Sequence, residues 1–160
     1  MIKKLVGALL CAIIISESLY LFNAYLQREQ IDSFNCTANQ LKHYSNETYY
    51  LTLNFIVRSN FGLVHITGHS DKNPEKIVNR KISFKLQRNR DLYYMVSQKN
   101  IRLPDDNISD EELSLYVPAF FVTSGSDIYM QILKQNNRNF LFKVESIPTY
   151  VCNSDNGKGH

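Results

Sequence analysis

Two hydrophobic patterns divide this chain. Across residues 5–26 most positions are apolar, and a run of 22 such residues is long enough for a helix that crosses a bilayer. From residue 34 onward, apolar and polar residues alternate in short runs, which is typical of β-strands with one buried face. The pattern therefore predicts one N-terminal transmembrane helix followed by a mainly β domain, α+β at most.

The strands of the second part are predicted from their period of two and from the turn residues between them. In residues 50–58, Leu51, Leu53, Phe55 and Val57 alternate with mostly polar positions. Further strands are predicted at residues 61–67, 77–86, 92–97, 128–133 and 140–144. Residues 37–48 are polar and are expected to form a loop or a weak strand. Short strands joined by hairpin turns predict an antiparallel barrel or a curved sandwich of six to eight strands.

One short helix interrupts the strands. Ser109 followed by Asp110 and two glutamates has the capping residue and acidic first turn of a helix start, which predicts a helix near residues 110–116. The apolar run at residues 118–121 is interpreted as a plug that closes the core, in preference to a contact surface. The acidic pairs at residues 105–106 and 111–112 are interpreted as a solvated face.

The N-terminal run has two interpretations. An uncleaved anchor is favoured because Leu19 to Phe22 continues the apolar run, with Tyr20 and Tyr25 where an outer aromatic belt would lie. A signal peptide cleaved near Ser16-Glu17-Ser18 stays the alternative. For an anchor, Lys3 and Lys4 place residues 1–4 in the cytoplasm. The predicted order is then a transmembrane segment at 5–26, a stalk at 27–33, a periplasmic β domain at 34–152 and a disordered tail at 153–160.

Glu17 lies well inside the apolar run. An acidic side chain at the centre of a membrane costs roughly 2.5–3.5 kcal/mol on insertion scales. Glu17 is therefore a candidate contact with a polar group on a partner helix. A protonated carboxyl, or a cleaved signal peptide, would explain it equally well.

Cysteine usage and charge narrow the function. Cys36 and Cys152 lie at opposite ends of the outer domain, and an oxidising compartment favours a disulfide between them. Cys11, in the apolar run, is interpreted as a small apolar side chain. The net charge of +3 and the absence of a basic stripe give no indication of nucleic-acid binding.

The sequence contains none of the catalytic motifs with a known mechanism. It lacks G-x-S-x-G, a phosphate-binding glycine loop, H-E-x-x-H and C-x-x-C, so no catalytic residue, metal or cofactor is predicted. His65 and His69 are four apart on a predicted strand, about 13 Å, which is too far to share a metal. Together with His43 they are candidates for pH sensing, because an unperturbed histidine titrates near pH 6.5. Histidines without a role are the simpler interpretation.

The layout resembles a known family. A Lys-started anchor, the motif Phe34-Asn35-Cys36, a Tyr-rich β domain and the closing Pro148-Thr149-Tyr150-Val151-Cys152 are similar to the FidL-like inner-membrane proteins of enteric bacteria. The chain looks closest to the small PsaF/MyfF proteins encoded with fimbrial operons. The resemblance spans nearly the whole chain and rests on this layout and two short Cys-containing motifs.

The resemblance implies a helper role. Such proteins accompany a single-pass, membrane-embedded transcription activator with a cytoplasmic winged-helix domain, and their periplasmic domain binds and stabilises that of the activator, as ToxS-type proteins do. It also implies a lipocalin-like barrel completed by the partner, a disulfide between Cys36 and Cys152, and acid-responsive expression of a fimbrial adhesin. This chain would not contact DNA itself.

Two rival functions are carried forward. A periplasmic barrel could sense a small lipid or bile salt on its own, which requires an apolar cavity that Phe55, Phe84 and Phe142 do not fill. A fimbrial assembly chaperone is the other, but it requires a two-domain sandwich near 200 residues and a cleaved signal peptide, so the length of this chain disfavours it.

Overall fold

The structure is a computed structural model, and it describes residue 7 and residues 11–22, 33–144 and 147–154, with the backbone alone for Pro148. The chain divides into two compact units, Met1–Ile31 and Asp32–His160. In the first unit residues 11–22 form a helix, α1. The second unit is an antiparallel β-barrel with a short helix.

Eight strands follow one another around the barrel in chain order, and β1 closes it against β8. The strands are β1 Ser33–Tyr44, β2 Glu47–Arg58, β3 Phe61–Ser70, β4 Ile77–Asn89, β5 Leu92–Arg102, β6 Asp127–Lys134, β7 Phe140–Val144 and β8 Ile147–Ser154. Between β5 and β6 lie a helix, α2 (Asp110–Leu113), and a 3₁₀ turn (Ala119–Phe121). The predicted mainly β fold is confirmed, and of the two predicted architectures the barrel is the one formed.

The predicted alternation decides which side chains fill the barrel. In β2 the four positions Leu51, Leu53, Phe55 and Val57 are buried, and so are several alternate positions of β1 and β3 beside it. The largest fully buried apolar side chains include Tyr49, Leu51, Leu53, Phe55, Ile66, Ile82, Phe84, Tyr93, Met95, Phe120 and Phe142. Burying an apolar side chain of the size of leucine or phenylalanine stabilises the fold by about 1.5–3 kcal/mol. The core is therefore the barrel interior itself.

Gly62 and Gly68 let this interior pack closely around β3. A Cβ atom on Gly62 would lie 2.2 Å from Cζ of Phe84, and one on Gly68 would lie 2.2 Å from the carbonyl oxygen of Tyr50. Both glycines pair in register with their neighbouring strands, without a bulge. They are therefore required by close approach of neighbouring atoms.

The segment from residue 103 to residue 126 closes one end of the barrel. Ser109 caps α2 by accepting a hydrogen bond from the amide of Glu112, as predicted. Leu113, Phe120 and Phe121 are buried, and Phe120 packs edge-on against Phe84 with ring centroids 5.6 Å apart. The interpretation of residues 118–121 as a core plug is confirmed. We call this end the plugged end.

The structure decides one expectation and corrects two. Of the loop and the weak strand expected for residues 37–48, the strand is formed over residues 37–44, which belong to β1 and pair with β2 along the register from Ser33–Arg58 to Tyr44–Glu47. α2 ends at Leu113 and the following residues form turns, so the helix is shorter than predicted. The solvated-face interpretation is wrong for Asp106, which is buried.

Two predicted boundaries lie close to ends of described segments. β1 begins at Ser33, the last residue of the predicted stalk, and β8 includes Asn153 and Ser154 from the predicted tail. The rest of the stalk and tail, residues 27–32 and 155–160, lies outside the described residues.

Candidate interaction site at the barrel seam

A disulfide fastens the first strand of the barrel to the last. Cys36 on β1 and Cys152 on β8 are bonded, their Cα atoms are 5.3 Å apart, and both side chains are fully buried. The predicted disulfide is confirmed. It closes a loop with a sequence separation of 116 residues, so it joins the two ends of the domain.

Beyond the disulfide, β1 and β8 remain neighbours in the closed barrel, but backbone pairing between their described residues ends. Among the described residues these strands pair only at Cys36–Ser154 and Thr37–Asn153, whereas β1 pairs with β2 along its full length. From Ala38 to Tyr44, β1 is therefore paired on its β2 side alone within this part of the chain. Such an edge carries unpaired backbone N–H and C=O groups, which another strand can use. We call residues 38–44 the open edge.

Apolar side chains lie on the outer face next to the open edge. Leu41 is 66% exposed and lies opposite Tyr50, which is 43% exposed, in the β1–β2 register. Tyr50 in turn stacks on the His69 ring with centroids 5.5 Å apart. We call these three residues the outer row. Aliphatic and aromatic groups are thus presented to solvent beside free backbone groups.

The three candidate histidines do not form one cluster. His43 lies on the open edge, with Nδ1 2.9 Å from Oγ1 of Thr48, and His69 belongs to the outer row. His65 lies further along β3, with Nε2 2.7 Å from Oδ1 of Asn79. No group of His, Cys, Asp and Glu among the described residues could hold a metal ion. The structure brings His43 and His69 to the same region of the surface and leaves His65 apart.

Glu17 lies in the separate N-terminal unit and is exposed on α1. Its neighbours Ser16 and Ser18 donate side-chain hydrogen bonds back to the carbonyl oxygens of Ile13 and Ile14, both at 2.8 Å. Large apolar side chains around it, including Tyr20, are exposed as well. Within the described part of the chain, no helix has both the length and the apolar character needed to cross a membrane. The predicted anchor, residues 5–26, extends beyond the described residues.

An ionic cluster at the plugged end is not predicted from the sequence. Arg80 points into the barrel, where its Nε donates to Oδ2 of Asp106 at 2.8 Å and its Nη2 donates to the carbonyl oxygen of Ile108 at 2.8 Å. Arg80 and Asp106 are almost completely buried, and Asp110 accepts a further bond from Arg80. The only sequence signal was an arginine at an inward position of a strand. The cluster fixes the plug in place.

A second contact holds the plug through Glu112. Its Oε1 accepts hydrogen bonds from Nζ of Lys76 at 2.7 Å and from the hydroxyl of Tyr49 at 2.9 Å. The bond from Lys76 holds the pKa of Glu112 below its usual value. Burial, followed by the bond to Glu112, raises the pKa of Tyr49. Both shifts follow from the packing of the plug against the barrel strands.

Comparison with known proteins gives one family. The family model described as the YqeJ C-terminal domain matches residues 33–152, which is the disulfide-closed barrel almost from end to end. Neither the curated proteins nor the solved structures gave a match. The resemblance to FidL-like and PsaF/MyfF proteins stays a prediction.

Proposed function

The chain belongs to the YqeJ C-terminal domain family, and we propose that this barrel is the partner-binding domain of an accessory protein of the inner membrane. It lies in the periplasm, where it binds and stabilises a membrane-embedded winged-helix transcription activator. Through the activator it promotes expression of a fimbrial adhesin or another virulence gene. In this proposal the chain is not an enzyme, needs no cofactor and does not contact nucleic acid.

The observation that carries the proposal is the open edge of β1. A strand from another protein can pair with such an edge, so that main-chain hydrogen bonds supply affinity and adjacent side chains supply specificity. The outer row supplies those side chains, since Leu41 and Tyr50 are largely exposed beside it. A partner strand would thereby complete the seam, in agreement with the completed barrel that the resemblance implies.

The N-terminal unit provides a second contact in this proposal. Residues 5–26 would span the inner membrane once, with residues 1–4 in the cytoplasm. Glu17 would then face a polar group on the partner's transmembrane helix, where an unpaired carboxylate is costly. Its exposure on α1, among exposed apolar side chains, is what such a contact requires.

An acid response would act on the same surface. His43 and His69 flank Leu41 and Tyr50, so protonation would place positive charge beside the outer row. Replacing both by Gln should flatten the acid response of the regulated gene, whereas replacing His65 should leave it intact. An unchanged response in the double variant would remove these histidines from the proposal.

A barrel that senses a lipid or bile salt in its interior is the weaker candidate. Phe55, Phe84 and Phe142 are fully buried, and the rings of Phe55 and Phe142 lie 5.1 Å apart. Phe142 also stacks on Tyr150 at 4.8 Å. These rings occupy the space that an interior ligand needs. A chaperone role has less support again, because the second unit is one barrel and not two sandwich domains.

Photocrosslinking in living cells tests the proposal. A photoreactive amino acid at Leu41 should capture a protein that has a winged-helix domain and a membrane span, and so should one at position 17. The matched control is Ile56 on β2, which is exposed like Leu41 but lies away from the open edge. Deleting the chain should lower the level of the captured activator. Equal capture from Leu41 and Ile56, or an activator level that does not change, would contradict the proposal.

A further inference from the structure

The end of the barrel opposite the plugged end is a mouth with different chemistry. It is formed where β1, β3, β5 and β7 begin and where the other four strands end. At this mouth lies an open cleft of about 480 Å³, whose lining includes Arg58, Lys134 and Arg138. The buried rings of Phe34 and Phe140 also line it. None of the described residues that line the cleft is acidic.

The cationic groups of the cleft keep donors free for a ligand. Arg58 uses Nη1 to donate to Oδ1 of Asn35 at 2.9 Å and to its neighbouring carbonyl oxygen, which fixes its guanidinium at the cleft. Its other guanidinium nitrogens, Nε and Nη2, form no hydrogen bond within the described residues. Within the described residues, Lys134 and Arg138 have no ion pair. Three cations above two aromatic rings suit an anion that carries an apolar group, since Arg and Lys are the usual phosphate ligands.

An exposed aromatic ring lies on the same rim. Phe61 begins β3 and is 59% exposed. It lies between Arg58 on β2 and Lys85 on β4 in the strand register. An aromatic side chain flanked by two cations is typical of surfaces that rest on anionic lipid, where the ring enters the headgroup region and the cations contact phosphates.

The charges of the barrel are separated between its ends. The segment 103–126 at the plugged end carries five acidic residues and no Lys or Arg. Arg80 pairs with Asp106 and Asp110, and Lys76 pairs with Glu112, whereas Asp105 and Glu111 have no ion pair among the described residues. The mouth carries the three cations of the cleft. A negatively charged surface would therefore attract the mouth and repel the plugged end.

The chain enters the barrel at the mouth. β1 begins there at Ser33, and residues 27–32 connect it to the predicted anchor at 5–26. In the proposed topology, the mouth is therefore the end of the barrel that follows the membrane anchor in the chain.

We propose that the mouth cleft binds the phosphate group of an anionic phospholipid. Arg58, Lys134 and Arg138 contact the phosphate, and Phe61 enters the headgroup layer beside them. The barrel then stands on the membrane with its plugged end outward. This site is distinct from the open edge and does not require the transcription activator, so each can fail without the other.

The test uses the full chain in vesicles of phosphatidylcholine, with or without phosphatidylglycerol. In a Cys11→Ala background, an environment-sensitive dye is placed at Asn60→Cys on the mouth rim or at Glu111→Cys on the plug. Lipids with a headgroup quencher should quench the Asn60 dye more strongly when phosphatidylglycerol is present, and should leave the Glu111 dye unchanged. Equal quenching at both positions would overturn the proposal.

Charge variants assign the effect to the cleft. Each cation near an anionic surface contributes about fivefold, so Arg58→Gln, Lys134→Gln and Arg138→Gln together should lower the ratio of docked to undocked barrel by about 100-fold. The control Lys72→Gln, Lys81→Gln, Lys99→Gln removes the same charge away from the cleft and should change the ratio little. An equal loss in both triple variants would show an effect of net charge and contradict a cleft site.

Two further arms complete the test. Inorganic phosphate at matched ionic strength should leave the ratio of docked to undocked barrel unchanged. If phosphate at the lipid phosphate concentration displaced the barrel from the vesicles, the cleft would be a site for free phosphate and the lipid proposal would be overturned. The sequence places Asp32 and Asp155, outside the described residues, next to the lining residues Ser33 and Ser154. The double variant Asp32→Asn, Asp155→Asn removes two negative charges and should raise the ratio of docked to undocked barrel on phosphatidylglycerol. A lower ratio would contradict attraction between the mouth and the anionic lipid.

Discussion

The plug and the seam close the same barrel by different means. At the plugged end, side chains of one continuous segment pair with side chains of the barrel strands, with Asp106 paired to Arg80 and Glu112 bonded to Tyr49. At the seam, one disulfide and two backbone pairs hold β1 to β8, and the open edge continues beyond them. The first closure is complete within the chain, while the second leaves backbone groups that a second protein can use.

The plug is therefore expected to contribute mainly to the stability of the barrel, and the open edge mainly to partner binding. The plug is held by the buried ion pair between Arg80 and Asp106, so loss of that pair should destabilise the barrel. At the seam, the disulfide keeps β1 and β8 together, and the open edge leaves backbone groups with which a partner strand can pair. Mutations at the two places should therefore have different consequences.

The largest expected effect is loss of the disulfide. Cys36→Ser with Cys152→Ser should lower the free energy of unfolding by about 4–5 kcal/mol, because a covalent loop of more than about 100 residues no longer restricts the unfolded chain. Urea unfolding under oxidising conditions measures this. Cys11→Ser is the control and should leave the barrel's midpoint unchanged. A double variant as stable as the original would mean that the bridge does not hold the seam.

Removing the buried ion pair of the plug should lower the free energy of unfolding somewhat less than removing the disulfide does. Asp106→Ala leaves the Arg80 guanidinium buried with its strongest partner removed, which should lower the free energy of unfolding by at least about 3 kcal/mol. The same urea experiment measures it. Asp105→Ala is the matched control: Asp105 is exposed and, among the described residues, bonds the side chain of Asn79 alone, so a loss of about 1 kcal/mol or less is expected. Equal losses at 105 and 106 would contradict the buried cluster.

The smallest effect is a pH dependence at Glu112. Its pKa in the folded state lies below the ordinary 4.5, so its contribution is present above that value and is lost as the pH falls through the folded pKa. Glu112→Gln should therefore lower the melting temperature at neutral pH and narrow the difference from the original chain below about pH 4. Thermal melts between acid and neutral pH measure it. A difference that stays constant over this range would exclude the carboxylate contact.

Much of the fold could be predicted because burial follows the alternation of side chains. The period of two in β2 gave the correct inner face, and the two cysteines at the domain ends gave the disulfide. β1 was predicted only as a loop or a weak strand, since many of its outward residues are polar and pairing with β2 is what makes it a strand. The short α2 likewise ends where the packing of the plug takes over from the helix signal.

The candidate site was harder to predict than the fold. Leu41 and Tyr50 are nine residues apart and meet only through the β1–β2 register, and Tyr50 meets His69 only through the β2–β3 register. The buried pair of Arg80 and Asp106 joins residues 26 apart in sequence, so a list of acidic pairs could not reveal it. Contacts set by strand register and by loop packing are not encoded in local spacing.

Amide hydrogen exchange along β1 tests the open edge most directly. In the isolated full chain, alternate amides between Ala38 and Tyr44 should exchange at least about tenfold faster than those of the central part of β2, because backbone groups without a partner are not protected. The pattern should end near Cys36 and Thr37, where β8 is paired. Uniform slow exchange throughout β1 would show that β8 closes the seam along its full length, and the barrel would then offer no edge to a partner.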